Sequence, residues 1–165
     1  MLLDLKKIFL DEGESLSVQT KVDLSDIKQN GVTLFPEPVD VDVNIKNRAG
    51  VVVFQAGINT DYSFGCDRCN TLSSRNFACK FRHILVTELS EENGDDYIEA
   101  PDYKLDTDAL LRDDILLELP SKFLCKESCK GLCPKCGKNL NEGECNCDLH
   151  EPDPRMAVLK QLLSE

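Results

Sequence analysis

Six closely spaced cysteines in the C-terminal half of the chain constrain its fold more than any other feature. They are Cys125, Cys129, Cys133, Cys136, Cys145 and Cys147. Thiolates separated by one or two residues can hold a zinc ion from a tight turn, and zinc prefers four tetrahedral ligands. This segment has few apolar residues of its own, so a bound metal would contribute directly to its folding. The spacing therefore predicts a metal-binding module.

The run Cys133-Pro-Lys-Cys136-Gly137 has the form of a zinc knuckle. Proline stiffens such a loop, and glycine permits the positive φ that lets backbone amides point at sulfur. A second close pair, Cys145 and Cys147, is separated from Cys136 by eight intervening residues. We expect these four thiols to fill one site.

Cys66 and Cys69 form a separate C-x-x-C pair between two predicted strands. A thioredoxin-type redox pair belongs at a strand-to-helix junction, and the surrounding sequence is all strand. Half of a zinc site is the better interpretation, with Cys125 and Cys129 as the other half. Alternatives stay open at this point: a zinc ribbon that joins Cys66 and Cys69 to the knuckle, one zinc ion instead of two, or a cluster of free or disulfide-bonded thiols.

Alternating side chains predict the body of the fold. Val39, Val41, Val43 and Ile45 alternate with polar residues, and residues 51–58 return as a second strand after a turn at 47–50. A third alternation extends from Phe77 to Leu85 and places Cys79 and His83 on an apolar face, as core residues. Residues 15–23 and 60–65 are weaker strand candidates. We expect a mainly antiparallel sheet that curls toward a barrel.

The remaining segments complete an α+β prediction. Residues 90–108 have few large apolar groups and are predicted to be a solvated loop. Leu111, Ile115 and Leu119 recur at helical spacing over residues 107–119, with Asp113, Asp114 and Glu118 facing outward. A short C-terminal helix is predicted after Asp153, and His150 is a weaker candidate ligand. We expect a β-rich body with its acidic loop and helix at 1–120 and the cysteine module at 121–165.

The net charge of −11 is concentrated in one segment. Residues 88–118 hold 12 acids and only two bases, whereas residues 1–87 hold 11 acids and 10 bases. Five lysines lie within residues 119–138, beside a single acid. The overall acidity disfavours broad binding to phosphates, but it does not exclude a local RNA contact by these lysines.

The sequence does not favour catalysis, secretion or membrane insertion. It has no glycine-rich phosphate loop, HExxH helix or GxSxG elbow, and sites built only from thiolates are normally closed and structural. No small-molecule substrate is expected. No apolar run exceeds four residues, and an acid stands where a signal peptide would be basic. We expect a cytoplasmic, non-enzymatic protein whose cysteines stay reduced.

One string of residues resembles a known family. It comprises Cys66-x2-Cys69, Leu-Leu-Glu-Leu-Pro at 116–120, the cysteine run 125–147 and Asp-Pro-Arg at 153–155. It is similar to the bacterial YceD family, also called large ribosomal RNA subunit accumulation proteins. The resemblance implies a role in the accumulation or maturation of 23S ribosomal RNA without established catalysis. It also implies a partner among ribosomal proteins, because family genes often neighbour that of a small zinc-ribbon ribosomal protein.

We therefore expect a zinc protein, with one or two Zn2+ ions, that binds large-subunit ribosomal RNA or a ribosomal protein. Two other functions stay open from the sequence. One is a thiol-redox protein that uses Cys66 and Cys69, and the other is an RNA-processing enzyme.

Overall fold

A computed structural model describes residues 1–89 and 97–147 of the chain. Within these ranges strands predominate, with two α-helices and one 3-10 turn. In chain order the elements are β1 (Leu2–Asp4), α1 (Lys6–Leu10), β2 (Ser15–Val22), β3 (Lys28–Gln29), β4 (Val32–Thr33), β5 (Val39–Arg48), β6 (Val51–Gly65), β7 (Leu72–Val86), β8 (Tyr97–Glu99), the 3-10 turn Pro101–Tyr103, β9 (Lys104–Asp106) and α2 (Thr107–Glu118). Neither described α-helix is both long and apolar enough to cross a membrane.

A five-stranded sheet in the order β2-β5-β6-β7-β8 forms the body of the molecule and curls into half a barrel. Its first four strands are antiparallel, and β8 runs parallel to β7. The predicted hairpin is confirmed: β5 and β6 are joined at Ala49 and Gly50, which have φ values of 51° and 81°. The two strands predicted over 51–58 and 60–65 are one continuous strand, β6.

The core lies against one face of this sheet, as the alternation predicted. Val41 and Ile45 of β5 and Phe54 of β6 are at most 1% exposed, while the alternate residues Asp42 and Asn44 of β5 are exposed. Leu111 and Ile115 of α2 are fully buried and belong to the same core. The face predicted for residues 77–85 is also confirmed, since Phe77 and Leu85 are buried and Cys79 and His83 are half-buried. Cys79 packs against this core.

The structure corrects two predictions about the acidic segment. The predicted solvated loop over residues 90–108 is wrong for 97–106, which form β8, the 3-10 turn and β9. These residues are held by burial of Ala100 and Leu105 and by strand pairing. Residues 90–96 lie outside the described residues.

Asp114 was predicted to face outward, but it is only 8% exposed. Its carboxylate is hydrogen-bonded to Nε2 of His83 at 2.8 Å. Each of these two polar side chains therefore has a hydrogen-bond partner on the core side of the sheet. The predicted helix at 107–119 is otherwise confirmed as α2, with the Asp106 carboxylate accepting a hydrogen bond from the Asp108 backbone N–H. The predicted C-terminal helix and His150 lie outside the described residues.

Candidate metal centres

The turn between β6 and β7 presents Cys66 and Cys69 on the inside of a tight loop. The Asn70 backbone N–H donates to the Cys66 carbonyl at 2.8 Å, and the Cys66 N–H donates to the Thr71 carbonyl at 3.0 Å. Asn70 adopts a left-handed conformation with φ 54°, which asparagine tolerates better than most residues. Both cysteines are buried. The sheet itself therefore orients this pair of thiols.

The segment before Cys125 lies along the same turn. Asp67 and Phe123 exchange two hydrogen bonds: the Asp67 N–H donates to the Phe123 carbonyl at 2.8 Å, and the Phe123 N–H donates to the Asp67 carboxylate at 2.7 Å. The ring of Phe123 packs on Phe64, with 5.6 Å between centroids. Arg75 of β7 donates to the Leu124 carbonyl at 2.7 Å. These contacts bring the second pair of cysteines to the first.

Cys66, Cys69, Cys125 and Cys129 form a first group, whose Sγ atoms all lie within 4.8 Å of one another. The distance is 3.8 Å between the sulfurs of Cys66 and Cys129, and 3.7 Å between those of Cys69 and Cys125. These separations are too long for a disulfide, and all nine cysteines of the chain are free.

A second group consists of Cys133, Cys136, Cys145 and Cys147, again with all Sγ atoms within 4.8 Å. The knuckle is closed by the Gly137 N–H, which donates to the Cys133 carbonyl at 2.8 Å. Gly137 has φ +73°, the positive value predicted for this position. Cys133 is buried and Cys136 is exposed, so this group lies nearer the surface than the first.

These two groups contain the same cysteines as the grouping that we preferred from the sequence spacing. The structure does not bring Cys66 and Cys69 together with Cys133 and Cys136, as a zinc ribbon would require. Cys79 belongs to neither group, in keeping with its predicted place in the core. That the eight grouped thiols bind a metal stays a prediction.

The thiols of each group differ strongly in acidity. Burial opposes ionisation of Cys66, but hydrogen bonds from backbone N–H groups, including that of Cys125, lower the pKa of its thiol to about 6. Burial and the neighbouring thiols raise the pKa of Cys125 to about 12. In the second group, backbone N–H groups lower the pKa of Cys133 to about 6, and contact with Cys136 raises the pKa of Cys147 to about 12. A cation among the sulfurs would stabilise the thiolate form of Cys125 and Cys147, which the neighbouring thiols disfavour.

The donor sets fit a tetrahedral metal ion. Thiolates are soft ligands that suit zinc, and a Zn–S bond of about 2.3 Å in a tetrahedron separates neighbouring sulfurs by about 3.8 Å. Two sulfur pairs in the first group are 3.7 and 3.8 Å apart. Each group can therefore hold a metal ion with four protein ligands and no open position for a substrate.

Comparison with known proteins gives the family. A model of the family "Large ribosomal RNA subunit accumulation protein YceD" matches residues 54–163, which include all eight grouped cysteines. This chain belongs to the YceD family. The resemblance predicted from the sequence is thus confirmed.

Several relatives of this YceD-family chain carry related names. It is 27% identical over 155 residues to the chloroplastic "Large ribosomal RNA subunit accumulation protein YCED homolog 1" of Arabidopsis thaliana, covering 76% of this chain and 48% of the relative. The maize protein of the same name is 28% identical over 142 residues, covering 67% and 48%. The chain thus spans about half the length of these two relatives. "Uncharacterized protein YlbN" of Bacillus subtilis is 26% identical and is covered over 87% of its length. No solved structure matches.

Residues that the sequence reasoning missed support the first group in this YceD-family chain. Arg68 donates to the Cys129 carbonyl at 2.8 Å, and its own carbonyl accepts from the Leu132 N–H at 3.0 Å. The side-chain amide of Asn141 donates to the Cys129 sulfur at 3.3 Å and accepts from the Lys130 N–H at 3.0 Å. Such contacts orient thiolate ligands and disperse their charge. Arg68 lies within the C-x-x-C itself, but only the folded structure shows its partner.

Proposed function

We propose that this chain is a non-enzymatic factor in the accumulation of 23S ribosomal RNA, and that it acts by binding RNA or a ribosomal protein. Membership of the YceD family is the observation that carries this proposal. The two plant relatives are named for accumulation of the large ribosomal RNA subunit. Because this chain spans about half of each, their whole activity is not transferred to it.

We assign one Zn2+ ion to each thiol group, as structural metals. Cys66, Cys69, Cys125 and Cys129 would hold the first, and Cys133, Cys136, Cys145 and Cys147 the second. Four-thiolate sites are closed, so the metal supplies crosslinks and no reactive position. The first ion would tie residues 121–147 to the sheet, so the cysteine module and the body share a site.

Exposed lysines of the cysteine module are the surface we propose for contact with RNA or a ribosomal protein. Lys122, Lys126 and Lys130 are exposed. Lys126 and Lys130 each lie next to a grouped cysteine in sequence, so zinc binding would hold their backbone in place. Lys138 instead donates to the Glu144 carbonyl at 2.7 Å, a contact within the module. The proposal locates the protein in the cytoplasm, where free thiols persist.

Depletion of this protein in its own host tests the function. We expect a lower ratio of 23S to 16S ribosomal RNA, restored by the wild-type gene and not by a Cys66→Ser, Cys129→Ser variant. The tagged protein should co-sediment with precursors of the large subunit. An unchanged ratio together with no co-sedimentation would contradict the proposal. Cleavage of precursor RNA by the purified protein would instead support a processing enzyme, and reversible disulfide exchange at Cys66 and Cys69 a redox protein.

A further inference from the structure

The outer face of the sheet carries four basic side chains on two strands. Along β5 the odd-numbered residues from Val39 to Asn47 are buried, so Lys46 and Arg48 point away from the core. On β7, Phe77 and Leu85 are buried, and Lys80 and Arg82 are exposed between them on the opposite face. All four basic groups therefore share the solvent side of one sheet.

Strand pairing determines how these side chains are spaced. Gln55 of β6 pairs with Asn44 on one side and with Arg82 on the other, which puts β6 between the two basic strands. The two basic strands are thus about 10 Å apart, and neighbours within a strand are about 6.6 Å apart. The two pairs are staggered, since Lys46 shares a rung with Ile84 whereas Arg82 shares one with Asn44. A shallow concavity of about 410 Å3 opens between them, and its lining includes Lys46, Arg48, Arg82, Ser15, Asn44 and Gln55.

The basic side chains of this face form no ion pair within the part of the chain that the structure describes. Among residues 1–89 and 97–147, none of the four basic side chains has an ion pair or a side-chain hydrogen bond. Of the two acids on the same face of β5, Asp40 pairs with Lys21 at 3.3 Å. Asp42 lies in the rung of Lys80 and accepts from the neutral amide of Gln19 at 2.7 Å, so it keeps its charge and offsets part of the positive potential at that end. An unpaired basic cluster on a chain of net charge −11 is an electrostatic footprint for a polyanion.

An aromatic side chain lies at the edge of the same face. Tyr97 of β8 pairs with Ile84 of β7, and Ile84 pairs with Val53, which in turn pairs with Lys46. Tyr97 therefore belongs to the rung that contains Lys46. It is half-exposed and has no ring partner among the described residues. Basic groups beside an available aromatic ring are typical of surfaces that bind single-stranded nucleic acid, where bases stack on the ring.

We propose that the outer face of the sheet binds the sugar–phosphate backbone of single-stranded RNA, with a base stacked on Tyr97. The choice of RNA among polyanions rests on the proposed function, and the half-exposed ring of Tyr97 favours RNA over an acidic protein. Polar amides of Asn44 and Gln55 lie between the charges and can bond to ribose or phosphate. This surface is separate from the lysines of the cysteine module, which we propose for contact with RNA or a ribosomal protein.

Fluorescence anisotropy of the zinc-loaded full-length protein with a labelled single-stranded RNA tests this surface. A sheet variant combines Arg48→Gln, Lys80→Gln and Arg82→Gln, and a matched module variant combines Lys122→Gln, Lys126→Gln and Lys130→Gln. We expect the sheet variant to lose about tenfold or more in affinity and its salt slope to fall by about two, because each neutralised phosphate contributes about 0.7 for single strands. Tyr97→Leu should cost about fivefold or more in affinity with an unchanged salt slope.

The inference would be overturned if the sheet variant bound RNA with the same affinity and salt slope as the wild-type protein. It would also be overturned if the wild-type protein bound no RNA and instead captured an acidic protein through this face. Circular dichroism of each variant checks that the sheet is intact, since the substituted basic side chains are exposed and Tyr97 is half-exposed. Failure of the proposed function is a different result. In that case the protein would bind RNA through the sheet in solution yet neither co-sediment with ribosomal precursors nor alter 23S RNA levels.

Discussion

The sulfur atoms of Cys66 and Cys129 lie 3.8 Å apart, although 63 positions separate the two residues in sequence. Cys66 directly follows the 15-residue strand β6, and Cys129 belongs to a segment without regular secondary structure. A metal shared by these two residues would anchor that segment to the five-stranded sheet. Loss of metal from the first thiol group should therefore destabilise the whole fold.

Metal content is the most direct test of the two groups. Native mass spectrometry should show two zinc ions per chain, and a chelator should remove both. Because binding of structural zinc is coupled to folding, metal-free protein should melt at a temperature several degrees lower. A single ion would exclude one group, and a chain that melts at the same temperature with and without chelator would exclude a structural role.

Replacing one grouped cysteine should remove one ion only. Cys129→Ser deletes a ligand of the first group, so we expect the bound zinc to fall from two ions to one, with the knuckle group still loaded. Cys79→Ser is the matched control, since Cys79 is half-buried and outside both groups. It should keep both ions. Native mass spectrometry of the two variants measures this, and loss of zinc from Cys79→Ser would contradict the assignment.

Asp67 should contribute to stability by tying the β6–β7 turn to the C-terminal segment. Its carboxylate accepts hydrogen bonds from Gln29, Asn30 and the Phe123 N–H. Asp67→Ala should lower the free energy of unfolding by about 1–2 kcal/mol, because several hydrogen bonds to a charged acceptor are lost at a site open to solvent. Glu37→Ala, at an exposed position without such contacts, should change it by less than about 0.5 kcal/mol. Urea unfolding compares the two.

The neighbouring residues Asp113 and Asp114 should differ sharply in their effect on stability. Asp114→Ala leaves the half-buried His83 without its partner, and we expect a loss of about 1–3 kcal/mol. Asp113 is exposed, so Asp113→Ala should stay within about 0.5 kcal/mol of wild type. Equal effects in thermal unfolding would show that the inward position of Asp114 does not matter.

The ion pair of Arg112 and Asp26 should make a pH-dependent contribution. Arg112 donates to Asp26 at 2.9 Å and lowers the pKa of its carboxyl. A group whose pKa is lowered by folding stabilises the protein above its unfolded pKa, about 3.9 for Asp, and this contribution is lost as pH falls below it. The difference in stability between wild type and Arg112→Gln should thus be present at pH 6–7 and shrink below about pH 4. A difference that grows in acid would contradict this.

Most of the sheet could be predicted from the sequence because the pattern that indicates a strand lies in neighbouring residues. Residues 39–45 alternate between buried and exposed positions with period two, and that pattern identifies a strand without knowledge of its partners. The knuckle at 133–137 could be predicted for the same reason, since its cysteine spacing and its glycine belong to one loop. Elements that are stabilised by residues far away in the sequence could not be predicted. Strand β8 has three residues and forms only by pairing with β7.

The inward position of Asp114 shows the same limit at a single residue. Helical periodicity places a charged side chain on the solvent face, and it contains no information about His83, which lies 31 positions earlier. The first helix was also missed, because its five residues are held by contacts with other elements. Asn47 of β5, for example, donates to the Ile8 carbonyl at 2.8 Å.

The sequence by itself determined that this chain has a mainly antiparallel sheet, an acidic segment and thiols spaced for metal binding. Each of these features depends on residues that are close together in the sequence. Only the tertiary structure decided which cysteines meet. Pairs such as Cys66 and Cys69 are fixed by their own turn, but several pairings satisfy the same count of ligands. The choice among them is made by contacts such as that between Asp67 and Phe123, which depend on how the C-terminal segment packs against the sheet.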